Sequence, residues 1–365
     1  MKKISICTVC MNRLNHLSST LPVNIGENQH LPHVEFVLLD YNSSDGLETW
    51  VKDNLSRYID SGILKYYKTC DPAYFETAHS RNMAIKLASG DIFCMTDADN
   101  FTGPGYIGWV DSTFSLHGNN TVITTLRKDN LPYHDQGGKF AFSRELLYSV
   151  NGYDESVVYY GMEDVDLANR LEKAGGNRVF IEQEEYLKHI SHSDEERFAN
   201  FRLTKELESL YISVAAIESA AETATILYLL KDATFIEMNY AFNKEIEKDY
   251  ILSFNGWRMV EDGCRKGSYK REGGGLALDF GNEPVFYAEP ETGLLISKQR
   301  DQKMAWKELT RDEPLYYEII KGYGECYNRI VCEENERNSK PVNPNGWGLG
   351  TVYLNFDTSR PVKVL

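Results

Sequence analysis

The 365 residues predict an α/β protein: a Rossmann-like, mostly parallel sheet with flanking helices over residues 1–200, then a helical and mixed α/β extension over 201–365. Three observations carry that prediction. Strand and helix patterns alternate through the first 115 residues, the signature of βαβ units. The runs VEFVLL (34–39) and IFCMT (92–96) are short and mostly apolar, as strands buried in a parallel sheet are, and an aspartate follows each directly. After about residue 200 the texture changes, and no motif there converts into chemistry.

The elements follow in order. Residues 4–10 (ISICTVC) alternate as a strand. They contain Cys7 and Cys10, but residues three apart on a strand face opposite sides, which favours two separate buried thiols over a redox or zinc pair. Residues 34–39 supply the second strand. The stretch 77–88 (TAHSRNMAIKLA) has helical character, closed by Ser89-Gly90, and 92–96 completes a βαβ unit. Residues 137–150 read as a strand entering a short helix, with Asn151-Gly152 as the turn. From Glu163 to Ala174 the apolar positions Val165, Ala168, Leu171 and Ala174 recur at helical spacing. Acids open that helix, Arg170 and Lys173 lie toward its end, and Gly175-Gly176 stops it. Residues 201–232 read as helical, 233–250 fit neither pattern, and the Gly-rich, aromatic-rich stretch 273–297 suggests short strands and turns.

Composition narrows the function classes. Lys plus Arg number 39 against 54 Asp plus Glu, a net charge of −15, which argues against a nucleic-acid partner and requires a local cation for any polyanionic ligand. Seven scattered cysteines do not form a disulfide framework, so reduced thiols are expected. The N-terminus opens directly into a strand pattern and no run approaches ~18 apolar residues. The expectation is a soluble, cytoplasmic chain, with peripheral association at the inner face of a membrane left open.

In an open α/β sheet, ligands bind outside the carboxyl ends of the strands. Asp40, followed by YNSSDG, falls at one such end, and Asp97-Ala98-Asp99 at another. Two carboxylates one residue apart present hard oxygen ligands to a divalent ion, which in turn binds a diphosphate. Capping of a turn is the competing reading. A calcium loop is excluded, because Thr102 stands where glycine is needed and Gly108 where the closing glutamate is needed. Neither a G-x-G-x-x-G after the first strand nor a P-loop is found, which disfavours dinucleotide and P-loop chemistry. Glu163-Asp164-Val165-Asp166 opens the amphipathic helix. Complementing the helix dipole explains acids there, and so does a general base facing a cleft, for which Asp164 is the choice with Glu163 beside it. His189 and His192, in HISHS, would complete a mixed nitrogen and oxygen site of the kind that suits manganese-like ions if they meet the carboxylates in space.

Taken together, an Asp after the second strand, HSRNMAIKLASGD, the D-x-D, GGKFAFSRELLYSVNGYDE and GMEDVDLANRL resemble the GT-A glycosyltransferases. The front half is similar to family 2 enzymes. The stretch 137–193 looks like the C-terminal catalytic part of the β-1,4-galactosyltransferases, and CMNRLNHL resembles that family's F-R-N-R-x-x-H-L. The resemblance covers about the first 195 residues. It implies an inverting, metal-dependent transfer of a hexose or N-acetylhexosamine (Gal, GalNAc, Glc or GlcNAc) from a UDP-sugar to a saccharide hydroxyl, in bacterial surface polysaccharide or glycan synthesis. Manganese is the implied ion, magnesium the alternative. By the match, Asp99 and His192 hold the ion with Asp97, and Asp97 also lies near the ribose. Arg13, Asp40 and Arg81 join Asp97 in binding the nucleotide sugar, Tyr160 and Gly138 meet the acceptor, Asp164 is the base and Glu163 supports acceptor binding. Tyr41 stands where many family 2 enzymes carry a second acid, Tyr159-Tyr160-Gly161-Met162 replaces a Trp-Gly, and Val165 replaces an acid. A sugar nucleotidyltransferase and a catalytically inactive glycan-binding protein are the rival readings.

Overall fold

A computed structural model describes residues 2–126, 138–213, 223–242, 257–281, 285–288, 294–297 and 305–365. It divides into two compact units, Met1–His192 with Val331–Leu365, and Ser193–Ile330.

The first unit begins β1 (Ile4–Cys10), α1 (Leu14–Asn28), β2 (Val34–Tyr41), α2 (Leu47–Asp60), β3 (Leu64–Thr69), α3 (Thr77–Leu87) and β4 (Ile92–Met95). It continues with α4 (Tyr106–His117), β5 (Thr121–Thr124), β6 (Phe140–Ser143), α5 (Arg144–Ser149), α6 (Glu163–Lys173) and β7 (Asn177–Phe180). After the second unit the chain returns to add β16 (Gly350–Leu354) and β17 (Pro361–Val364). The nine strands form one sheet in the order β17-β16-β3-β2-β1-β4-β6-β5-β7. Pairing is parallel from β3 through β2 and β1 to β4 and again between β5 and β7, while β6 and β16 run antiparallel to their neighbours.

The sheet is buried on both faces. Ile4, Ile6, Phe36, Leu38 and Ile92 face α1, α2 and α4, which contribute Leu17, Leu21, Val51, Leu55, Ile107 and Val110. Cys7, Val9, Val37, Leu39 and Phe93 face the other way, toward Met83, Leu146, Leu167, Leu171 and Trp347. This is why β2 and β4 read as apolar runs. Cys7 and Cys10 fall on opposite faces, both buried and free, as strand geometry requires. The mixed α/β, mostly parallel architecture is the one the sequence predicts.

The second unit corrects the helical reading of 201–232. Two short helices, α7 (Asp194–Phe198) and α8 (Arg202–Glu206), lead into β8 (Leu207–Ser213), β9 (Thr223–Leu230) and β10 (Thr234–Phe242). Next come β11 (Trp257–Glu272), β12 (Gly275–Asp279), β13 (Val285–Ala288), β14 (Leu294–Ser297) and β15 (Ala305–Leu309), and the eight strands close into an antiparallel barrel. Its interior holds Tyr211, Leu227, Leu229, Phe235, Tyr269, Leu276, Leu278, Tyr287, Leu295 and Trp306. Leucine, alanine and glutamate in 207–230 favour helix locally, but closure of the barrel buries the alternating face and overrides that preference. Parts of the expected stretches, residues 137, 214–222, 243–250, 282–284 and 289–293, lie outside the described residues. Helix α9 (Pro314–Arg337) was not legible as such, and its last turns, from Val331, belong to the first unit. The boundary expected at 200/201 therefore falls after His192, and residues 331–365 leave the expected accessory region for the sheet.

Candidate active site

β2 and β3 extend from one side of β1 and β4 lies on the other, so a topological switch point sits at the carboxyl ends of β1 and β4. The D-x-D follows β4 there, and Asn12-Arg13 follows β1.

The loops after β1 and β2 are stitched together. The Asn12 N–H donates to Ser43 Oγ at 3.0 Å, the Ser44 N–H to Asn12 Oδ1 at 2.7 Å, and the Leu14 N–H to Asp45 Oδ2 at 2.8 Å, where α1 begins. Asp40 is turned inward and has 0% exposure. The Ser43 N–H donates to its Oδ1 at 2.7 Å and the Tyr66 hydroxyl to its Oδ2 at 2.7 Å. Burial pushes its pKa up, against those two donors. Asp40 thus fixes the turn from within and offers no surface to a nucleotide, which corrects the expectation that it lines that pocket. An acid after a strand reads the same in sequence whether it turns in or out.

Asp99 and His192 meet because two distant segments pair. The Phe101 N–H donates to the Lys188 carbonyl at 3.0 Å and the Ile190 N–H to the Asp99 carbonyl at 2.9 Å, with Asn100 bridged antiparallel to His189. That register brings His192 Nε2 to 3.0 Å from Asp99 Oδ2. The His16 ring meets the His192 ring edge-on, with centroids 5.6 Å apart. Burial raises the Asp99 pKa, but the hydrogen bond and charge of His192, with the charge of half-buried Arg13, hold it below the usual carboxylate range. One carboxylate oxygen and one imidazole nitrogen suit a manganese-like ion whose other positions are filled by water and phosphate. Among the described residues no group of three or more His, Cys, Asp or Glu side chains is placed to hold a metal. Asp99 and His192 are the pair of expected ligands that the fold brings within contact. Asp97, expected as a third ligand, pairs through Oδ1 with Arg81, and a third of its side chain stays exposed.

Arg81, on α3, cross-braces the acids. Its Nη2 lies 3.0 Å from Asp97 Oδ1, and its Nη1 lies 2.6 Å from Asp164 Oδ1 and 3.5 Å from Glu163 Oε1. Only 5% of its side chain is exposed, so the guanidinium is taken up by carboxylates rather than open to a nucleotide, which corrects that expectation as well. Burial opposes its charge, but Asp164 and Asp97 outweigh burial and raise its pKa. Burial also raises Asp97, Arg81 opposing and Asp99 adding to the rise. Glu163 is pushed up to about 7, by burial first and then by the charge of Asp164. The helix start is set by two consecutive left-handed residues, Gly161 (φ 86°) and Met162 (φ 75°), with half-buried Tyr160 before them. Asp166 turns away to Arg170 at 2.7 Å.

Gly138 packs so closely on Arg81 and Asp97 that a Cβ would collide with both. Its contact is with the acid cluster, where an acceptor contact was expected. Two further groups escaped the sequence reading. Asn82 Nδ2 donates to the Tyr153 carbonyl (2.9 Å) and Glu155 Oε1 (2.8 Å), while its Oδ1 accepts from the Tyr153 N–H (2.8 Å). Thr20, Asn24 and Asn28 form a buried polar stripe whose four-residue spacing was visible in the sequence.

Residues 123–193 match the family model described as the N-terminal domain of galactosyltransferase, overlapping the 137–193 stretch whose sequence resembles those enzymes. No curated protein matches the chain. Solved structures similar to it include a mannosyltransferase from Pyrobaculum calidifontis in complex with GDP-Man and Mn2+ (20% identity, 49% of this chain and 55% of that one, TM-score 0.41). Staphylococcus aureus TarS 1-349 in complex with UDP is another (15% identity, 54% and 62%, TM-score 0.41). Glucosyl-3-phosphoglycerate synthase from Mycobacterium tuberculosis, in complex with Mn2+, UDP and phosphoglyceric acid, is a third (18% identity, 56% and 76%, TM-score 0.40). The chain spans 55% and 62% of the first two.

Proposed function

We propose that this chain is a metal-dependent, inverting glycosyltransferase that moves a hexose or N-acetylhexosamine from a UDP-sugar to a saccharide hydroxyl. The observation that carries the reading is the meeting of Asp99 with His192 at 3.0 Å at the carboxyl end of β4, with Asp164 reaching Asp97 across one guanidinium. The galactosyltransferase family match over 123–193 supports it.

Asp99 and His192 would hold a divalent ion, Mn2+ or Mg2+, which when bound supplies the charge that stabilises a departing diphosphate. Asp164 accepts the proton of the attacking acceptor hydroxyl. It sits at a helix N-terminus, where an anion is favoured before reaction begins. Arg81 fixes its orientation and balances its charge. Glu163 and Tyr160 flank it on the acceptor side. The product is a lengthened saccharide, the chemistry of surface polysaccharide and glycan assembly.

Asp99→Ala and His192→Ala are expected to weaken Mn2+-dependent UDP binding, measured by calorimetry. Asp164→Asn is expected to bind UDP near normally while transfer falls by about 10²–10⁴-fold. Turnover retained in Asp164→Asn would remove the base assignment. Product analysis separates the rival chemistry, since glycosyl transfer releases UDP whereas nucleotidyl transfer releases pyrophosphate.

A further inference from the structure

The backbone of the D-x-D turn is gripped from two sides by side chains outside the chemistry above. On one side, Thr20 Oγ1 of α1 donates to the Ala98 carbonyl at 2.6 Å and Asn24 Nδ2 to the Asn100 carbonyl at 3.0 Å. Asn24 Oδ1 accepts from the Thr102 N–H at 2.8 Å, and Asn28 Nδ2 donates to Thr102 Oγ1 at 3.1 Å. On the other side stands Lys139, just before β6, with 0% exposure. Its ammonium donates to the carbonyls of Phe101 (2.8 Å) and Tyr186, with the Thr102 carbonyl at 3.5 Å, and it lies 4.8 Å from the centre of the Tyr106 ring.

A buried ammonium is costly, because it loses its hydration. Burial accordingly pulls the Lys139 pKa down, with the carboxylates of Asp97 and Glu27 among the groups opposing. The carbonyl arrangement explains why a lysine amine is there at all. Three carbonyls from two segments converge on one point, and an ammonium carries three donors and no acceptor. An apolar chain of similar length would avoid the hydration loss but leave those oxygens without a donor. Gly103 lies on the same seam. Its φ is +84°, and a Cβ there would run into the Glu185 carbonyl, so the two backbones approach as closely as they can.

We propose that Lys139 and the Thr20-Asn24-Asn28 stripe are positioning residues for the candidate metal site, a role that rests on Asp99 and His192 being the ion's ligands. They fix the 98–102 backbone, and the pairing of 99–101 with 188–190 then holds Asp99 opposite His192 before an ion arrives. Supports of this kind are worth about 10- to 100-fold in metal affinity.

Lys139→Met and Asn24→Leu in the full chain test this. Hydrogen exchange without ligand is expected to show the Phe101 and Ile190 amides losing about tenfold or more of their protection while β1 and β2 keep theirs. Mn2+ affinity, read from the paramagnetic signal of the free ion, is expected to fall about 10- to 100-fold. Unchanged exchange at both amides in both variants would overturn the inference, and so would wild-type Mn2+ affinity in both. Should Lys139→Met fail to fold, Asn24→Leu gives the same two readings. A wild-type chain that binds no Mn2+ would instead remove Asp99 and His192 as ligands. That failure is told apart because the exchange difference between wild type and variants persists.

Discussion

Arg81 carries one positive charge for three carboxylates, Asp97, Glu163 and Asp164. Burial first, and then the charge of Asp164, pushes Glu163 up to about 7 from an ordinary 4.5. Between those values the folded chain binds more protons than the unfolded one, so this group's contribution is complete below about pH 4.5 and is lost as pH rises through about 7. Glu163→Gln, which cannot ionise, is expected to gain on the order of 1–3 kcal/mol relative to wild type between pH 5 and pH 8. Urea unfolding across that range checks it, and a flat difference would mean Glu163 is ionised throughout. At this scale the candidate site was half legible. Sequence position marks Asp97, Asp99 and Asp164, because strand ends and helix starts are local signals, whereas His192 is singled out only by the resemblance of HISHS. Position does not mark which way Asp40 turns, nor that Arg81 is consumed by acids, because those depend on neighbours far along the chain.

Among the elements, α6 was readable almost to the residue, since its apolar spacing, acidic start and Gly-Gly stop all agree. β8 and β9 were not, because their residues favour helix and only the barrel makes them strands. The segment before β16 shows a third case, an element with no periodic signal that packs tightly nonetheless. Gly348 has φ +62°, and a Cβ there would sit 2.7 Å from the Asn82 carbonyl carbon. Its N–H donates to Glu155 Oε1 at 2.6 Å, and Asn343 Nδ2 reaches the Asn151 and Tyr153 carbonyls, both at 2.7 Å. Gly348→Ala is expected to cost about 1–3 kcal/mol through backbone strain alone, visible as a lowered melting temperature. An unchanged melting curve would mean that the turn relaxes without loss.

For the whole molecule, the first unit is discontinuous: residues 193–330 interrupt a sheet that residues 331–365 complete. No local pattern announces this, because β16 pairs with β3 across the length of the chain, Tyr353 opposite Lys68 and Leu354 opposite Tyr67. Deleting residues 343–365 uncovers the β3 edge and removes Trp347 from the core. Such a chain is expected to self-associate or precipitate, as unprotected strand edges do. Size-exclusion chromatography with light scattering decides it, and a monodisperse truncated chain melting as wild type would show the segment to be dispensable. Among the described residues no helix is long and apolar enough to cross a membrane. The late arrival of β16 also matters during synthesis on the ribosome. At roughly 5–20 residues per second, β3 emerges on the order of 15–60 seconds before the strand that covers it. For that interval the nascent polypeptide presents an open hydrogen-bonding ledge, and translation speed and chaperone occupancy then govern how much of it reaches the native state.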